Sequence, residues 1–135
     1  MFRRLDESTF VAAGQVRAAD LAGAKALGVA MIVNNRPDGE EPGQPLSAEI
    51  EAAALAAGLG YRHIPVAGGL PADQVEAMAA ALEEANGLTL AFCRSGTRST
   101  YLWALAEASR GRDGKELVEC AAAAGYDLMP IAHLL

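Results

Sequence analysis

Between Leu88 and Leu105 the chain reads LTLAFCRSGTRSTYLWAL, an apolar segment that runs into Cys93. The next six positions hold two arginines, one glycine and three hydroxyl residues. Cysteine is a nucleophile in its thiolate form, and a thiolate is favoured wherever positive charge and backbone N–H groups converge. A tight turn that opens a helix supplies both, because its amides point inward and the helix dipole adds partial positive charge. Gly96 permits the bend, and Arg98 carries a planar fork that fits two oxygens of an oxyanion, which lysine would not. Arg94, Ser95, Thr97 and Ser99 complete the loop, with the Thr97 and Ser99 hydroxyls expected to donate to the thiolate or to a leaving sulfur. These residue types predict Cys93 as nucleophile in an anion cradle rimmed by Arg98.

The elements around the loop must bring it to a sheet edge. Phe10–Ala13 reads as a first strand, and RAADLAGAKALG as a helix stopped by Gly28. VAMIVNN is a continuous apolar run of the kind found in parallel sheets covered on both faces, and RPDGEEPGQP is a loop. Ser47 is expected to cap a helix running to Ala57. YRHIPV follows as a strand whose Pro65 indicates an edge position or a strand end. A helix opened by Pro71 carries Val75, Met78, Leu82 and Ala85 on one stripe. LTLAF is a buried strand, Thr100–Ser109 is a helix, and Asp113 with Glu116 is expected to form a capping box for a last helix to Ala124. Alternating strands and helices predict an α/β fold with a mainly parallel sheet of four to five strands flanked by helices, as one domain over residues 1–135. Ligands of such sheets bind at the carboxyl ends of strands. The loops Arg36–Gln44, Ala67–Leu70 and Arg94–Ser99 meet there.

Other candidates are weaker. Asp73, after Pro71, and Asp38, in the loop after the second strand, are the carboxylates from which a general acid could come, with Glu40 and Glu41 beside Asp38 in that loop. Arg36 could reach an anion from the same loop. His63 reads as a strand histidine and Cys120 as a small core residue, unless Cys120 lies near Cys93 and acts as a resolving thiol. Two histidines and two cysteines at these spacings make no metal site, and no cofactor is expected.

Composition narrows the class. The chain has 135 residues, a net charge of -6 and 52% hydrophobic residues, and its mean hydropathy is +0.16. That describes a folded globule. The acidic balance argues against nucleic-acid binding, and no apolar run approaches the ~20 residues of a membrane span. The reading is a cytoplasmic protein with free thiols.

CRSGTRS, together with GQVRAADLAGAKALGVAMIVNNRPDGEEPGQP and GLGYRHIPV, resembles the bacterial beta-lactamase hydrolase-like, phosphatase-like domain family. That family is itself similar to dual-specificity tyrosine phosphatases. The resemblance covers nearly the whole chain and implies a cysteine-phosphatase-like fold with the Cys/Arg loop as catalytic site. One feature departs from tyrosine phosphatases: four residues, not five, separate Cys93 from Arg98. Rhodanese sulfurtransferases use a loop of this shorter kind. The resemblance therefore implies a cysteine-dependent hydrolase of phosphorylated or other anionic substrates. Two alternatives stand beside it, a sulfurtransferase passing sulfane sulfur from a donor through a Cys93 persulfide to a thiol acceptor, and a non-catalytic anion-binding module.

Overall fold

The computed structural model describes residues 1–135. Five strands form one sheet: β1 (Phe2–Arg4), β2 (Thr9–Ala12), β3 (Val29–Asn34), β4 (Gly60–His63) and β5 (Leu88–Phe92). Their spatial order is β1-β2-β5-β3-β4. All pairings are parallel except β1 with β2. The antiparallel β1 was absent from the sequence reading, because a three-residue FRR strand carries no apolar period. It is a charged edge closed on β2 by Asp6, whose carboxylate accepts from Ser8 N–H at 2.8 Å. β4 is the opposite edge, and Pro65 follows just beyond its end.

Side-chain alternation along the strands divides the core into two layers. Phe10, Ile32, Leu90 and Phe92 face α1 (Leu21–Ala26) and α2 (Ser47–Ala56). Val11, Met31, Val33 and Ala91 face α3 (Ala72–Glu84), α4 (Thr97–Ser109) and α5 (Gly114–Ala123). Ala91, Ala104 and Ala106 have no exposed area, and α4 packs between α3 and α5 in this layer. A larger residue at any of them would overpack this layer at a cost of about 1–3 kcal/mol. A short 3-10 turn, Ala18–Asp20, leads into α1, and another, Met129–Leu134, ends the chain. No helix is long and apolar enough to cross a membrane.

Two helix starts and one helix cap differ from the sequence expectation. α4 begins at Thr97 instead of Thr100, which puts Arg98 and Ser99 in its first turn. Ser47 is the first helical residue of α2, not its cap, and its N–H is satisfied by Asp38 Oδ1 at 2.8 Å. Asp113 precedes α5 without a side-chain cap bond, and Glu116 instead accepts from Arg112 Nη2 at 2.7 Å.

Candidate active site

β5 is the central strand, so the loop that follows it sits between the loops that follow its neighbours β2 and β3. Cys93 is the first residue beyond β5 and has no exposed area. Gly96 N–H donates to Cys93 Sγ at 3.1 Å. Gly96 has φ +95°, a left-handed conformation that turns its amide back toward the sulfur before α4 begins. Any Cβ at Gly96 would collide with the Tyr126 hydroxyl and approach the Ala12 carbonyl oxygen to 2.8 Å. Tyr126 Oη donates to Ser95 O at 2.9 Å and so buttresses the loop from the side of the last helix.

Arg98 folds over this loop and not into bulk water. Its Nη1 donates to Val66 O at 2.8 Å, tying the β5 loop to the loop after β4. Nη1 and Nη2 also grip both oxygens of Glu40 at 2.7 and 2.8 Å. The Arg98 pKa is raised, first by the hydrogen-bonded Glu40, with burial opposing and the charge of the neighbouring Cys93 adding to the rise.

The loop after β3 supplies the second guanidinium. Arg36 is 1% exposed, and its Nε donates to Glu40 Oε1 at 2.8 Å. Arg36 Nη1 donates to Gln15 Oε1 at 2.9 Å, which brings in the loop after β2. Arg36 Nη2 is 3.1 Å from Glu41 Oε1 without hydrogen-bond geometry and has no hydrogen-bond partner. Glu40 therefore bridges two arginines. Its pKa is held down at about 2, mainly by the Arg98 hydrogen bonds, against a smaller effect of burial and with Arg36 assisting. At neutral pH this carboxylate is ionised and carries no proton to give.

The remaining sequence candidates fall in three groups. Thr97 accepts from Ser95 Oγ at 3.2 Å, and Ser99 Oγ is buried without a partner, so neither hydroxyl is hydrogen-bonded to the sulfur. Arg94 is exposed at the rim. Asp38 serves α2 as described, while Asp73 Oδ1 accepts from Gln74 N–H at 3.0 Å in the first turn of α3. His63 Nε2 is 3.0 Å from Arg36 O and steadies the loop backbone. Cys120 lies beside Asp6 and Ser8, at the amino end of β2 and so at the far end of the sheet from Cys93. It is no resolving thiol for that sulfur.

Sequence reasoning missed Gln15 and Tyr126 as supports of the site and left the Glu40 carboxylate among several loop charges. The signal for Glu40 was its i,i+4 spacing from Arg36 in an otherwise rigid Pro/Gly loop. Nothing local marks Tyr126, which reaches the loop only through the tertiary fold.

Beyond Arg98 the surface falls into an apolar groove of about 380 Å³ walled by Val66, Leu70, Tyr101, Ile131 and Leu134. Guanidinium and apolar surface thus adjoin at one mouth.

The chain is 34% identical to a candidate phosphatase from Neisseria meningitidis of known crystal structure, covering 97% of this chain and 93% of that one with a TM-score of 0.82. A structure of P. aeruginosa TpbA in complex with pTyr shares the fold at 17% identity, covering 88% of this chain and 70% of that one with a TM-score of 0.63. Among curated proteins, the beta-lactamase hydrolase-like protein of Agrobacterium fabrum is 40% identical over 117 residues, which are 86% of this chain and 27% of that protein. The chain thus spans about a quarter of the length of its curated relatives. Residues 1–110 match the family described as "Beta-lactamase hydrolase-like protein, phosphatase-like domain", and with the cysteine loop, the parallel sheet and these likenesses together, the chain belongs to that family.

Proposed function

We propose that the chain is a cysteine-dependent phosphatase acting on aryl phosphate monoesters. The observation that carries this reading is the Cys93 sulfur at a strand end with the Gly96 N–H on it and the Arg98 guanidinium beside it. In the proposed reaction the Cys93 thiolate attacks phosphorus, and an S–P bond forms as the P–O bond to the aryl group breaks. The aryloxide leaves with the electron pair and takes its proton from water. A water molecule then attacks phosphorus, the S–P bond breaks, and the thiolate and free phosphate are regenerated. Arg98, with the amides of Arg94 to Arg98, holds the equatorial oxygens as charge builds on them.

The aryl preference has two supports. Glu40, the carboxylate nearest Arg98, is ionised at neutral pH, so leaving groups that depart without protonation are favoured. The apolar groove beside Arg98 offers such a group a surface to pack on, and TpbA, of the same fold, is bound to pTyr.

The four-residue spacing from Cys93 to Arg98 keeps a second reading, sulfur transfer through a Cys93 persulfide. One experiment separates the readings. Purified protein is offered para-nitrophenyl phosphate and, separately, thiosulfate with cyanide, with Cys93→Ser as control. Release of nitrophenol lost in Cys93→Ser supports the phosphatase; thiocyanate formation alone establishes the sulfurtransferase. Turnover of neither, with phosphate still protecting Cys93 from alkylation, leaves a non-catalytic anion binder.

A further inference from the structure

The anion site is already filled by a carboxylate of the chain itself. Glu40 presents two oxygens and one negative charge to the Arg98 fork and takes the Arg36 Nε on one of them. On the reading of Cys93 and Arg98 as an anion site, the Arg98 fork is the donor pair that an oxyanion above Cys93 would use. Arg36 is nine-tenths buried and more, and its Nη2 is ion-paired with Glu41 at 3.1 Å but has no hydrogen-bond partner, so the donor set exceeds what Glu40 satisfies. Cys93 has no exposed area, and the Arg98–Glu40 pair lies on the side where the loops after β3, β4 and β5 meet. The segment that carries Glu40 is flanked by Gly39 at φ +78° and Gly43 at φ +80°. It is held to itself by Gln44, which donates to Pro37 O at 2.8 Å and accepts from Glu40 N–H at 3.1 Å.

We infer that Glu40 is a tethered competitor for the oxyanion, and that it restricts the site to phosphate monoesters by excluding anions that offer no more than a carboxylate does. This rests on the reading of Cys93 and Arg98 as an anion site. A tethered group competes at an effective concentration of about millimolar or above. A phosphodiester or a free carboxylate brings one charge and two oxygens, which Glu40 supplies already and without loss of translational freedom. A phosphate monoester brings a third oxygen and, at neutral pH, close to a second charge. It can engage both guanidinium groups, including Arg36 Nη2, which is ion-paired with Glu41 but makes no hydrogen bond, and still face the loop amides. Only that class gains by unseating Glu40.

Calorimetric titration with inorganic phosphate and with dimethyl phosphate, on wild type and on Glu40→Gln, tests the inference. Wild type is expected to bind phosphate at least about tenfold more tightly than dimethyl phosphate. Glu40→Gln is expected to bind phosphate about tenfold more tightly than wild type, and dimethyl phosphate by a larger factor, so that discrimination shrinks. Glu40→Ala, tested beside it with circular dichroism to verify folding, should move affinity in the same direction. Weaker phosphate binding in both folded variants would overturn the inference and make Glu40 a residue that holds Arg98 in place. Unchanged discrimination would overturn it equally. Binding of neither anion to any of the proteins would overturn the anion-site reading along with it. In wild-type crystals soaked with tungstate, Glu40 is expected off both arginines; tungstate bound beside an unmoved Glu40 would contradict the proposal.

Discussion

Glu40 and Arg98 are 58 positions apart in the chain and meet in a two-toothed bridge of 2.7 and 2.8 Å. This contact, and the Arg36 contact on the same carboxylate, joins the loop after β3 to the loop after β5. Both residues are largely covered, with side chains 28% and 26% exposed, yet each is close enough to the surface to exchange partners.

The bridge has a pH signature. Glu40 has a folded pKa near 2 against an ordinary 4.5, so its contribution to stability is fully present above about pH 4.5 and is lost as pH falls through about 2. Denaturant melts of wild type and Glu40→Gln between pH 6 and 2 should converge toward the acid end. Parallel curves across that window would contradict the pKa assignment.

Arg98→Lys keeps the charge and loses the fork. We expect kcat/KM on an aryl phosphate to fall by about tenfold or more, and Arg98→Ala to fall by about a hundredfold; Arg98→Ala, which also loses the bridge to Glu40, is expected to melt below Arg98→Lys. Steady-state kinetics with a thermal melt on each variant checks this.

Gly96→Ala should damage fold and loop together. A side chain at φ +95° is strained, and its Cβ meets Tyr126 and the Ala12 carbonyl. The expected loss is roughly 2–4 kcal/mol, or about 10 °C in melting temperature. Removing the Tyr126 hydroxyl in a double variant should recover part of it, because the Ala12 carbonyl remains.

With Glu40 ionised beside Arg98, turnover should be sensitive to the leaving group. Across aryl phosphates whose phenols range from acidic to weakly acidic, turnover is expected to fall steeply as the phenol becomes less acidic. Asp73→Asn should leave that slope unchanged, since Asp73 is engaged with the first turn of α3. A flat profile that steepens in Asp73→Asn would identify Asp73 as the acid after all.

How much of this was legible beforehand depended on whether the information was local. β5 and the turn after it could be read directly, because an apolar run, a glycine and a helix period follow one another in sequence. The parallel sheet followed from alternating elements, and Pro65 marked the end of an edge strand. β1 was invisible, since three residues with two arginines carry no apolar period and take their place from pairing with β2 and from tertiary contacts such as Arg3 Nη1 to Ala124 O. The Thr100 start was late by three residues because Thr97, Arg98 and Ser99 are polar and look like loop until helix geometry claims them. The bridge of Glu40 to Arg98 is non-local, and only its i,i+4 half with Arg36 could be suspected from spacing.

Tyr126 has a consequence for how the family is delimited. It lies beyond residues 1–110, the span that matches the family, yet its hydroxyl holds the Ser95 carbonyl of the cysteine loop. A fragment trimmed to the matched span would keep every residue of the loop and lose the post that braces it. Surveys that judge competence from the signature alone would then count as intact a loop left without its prop.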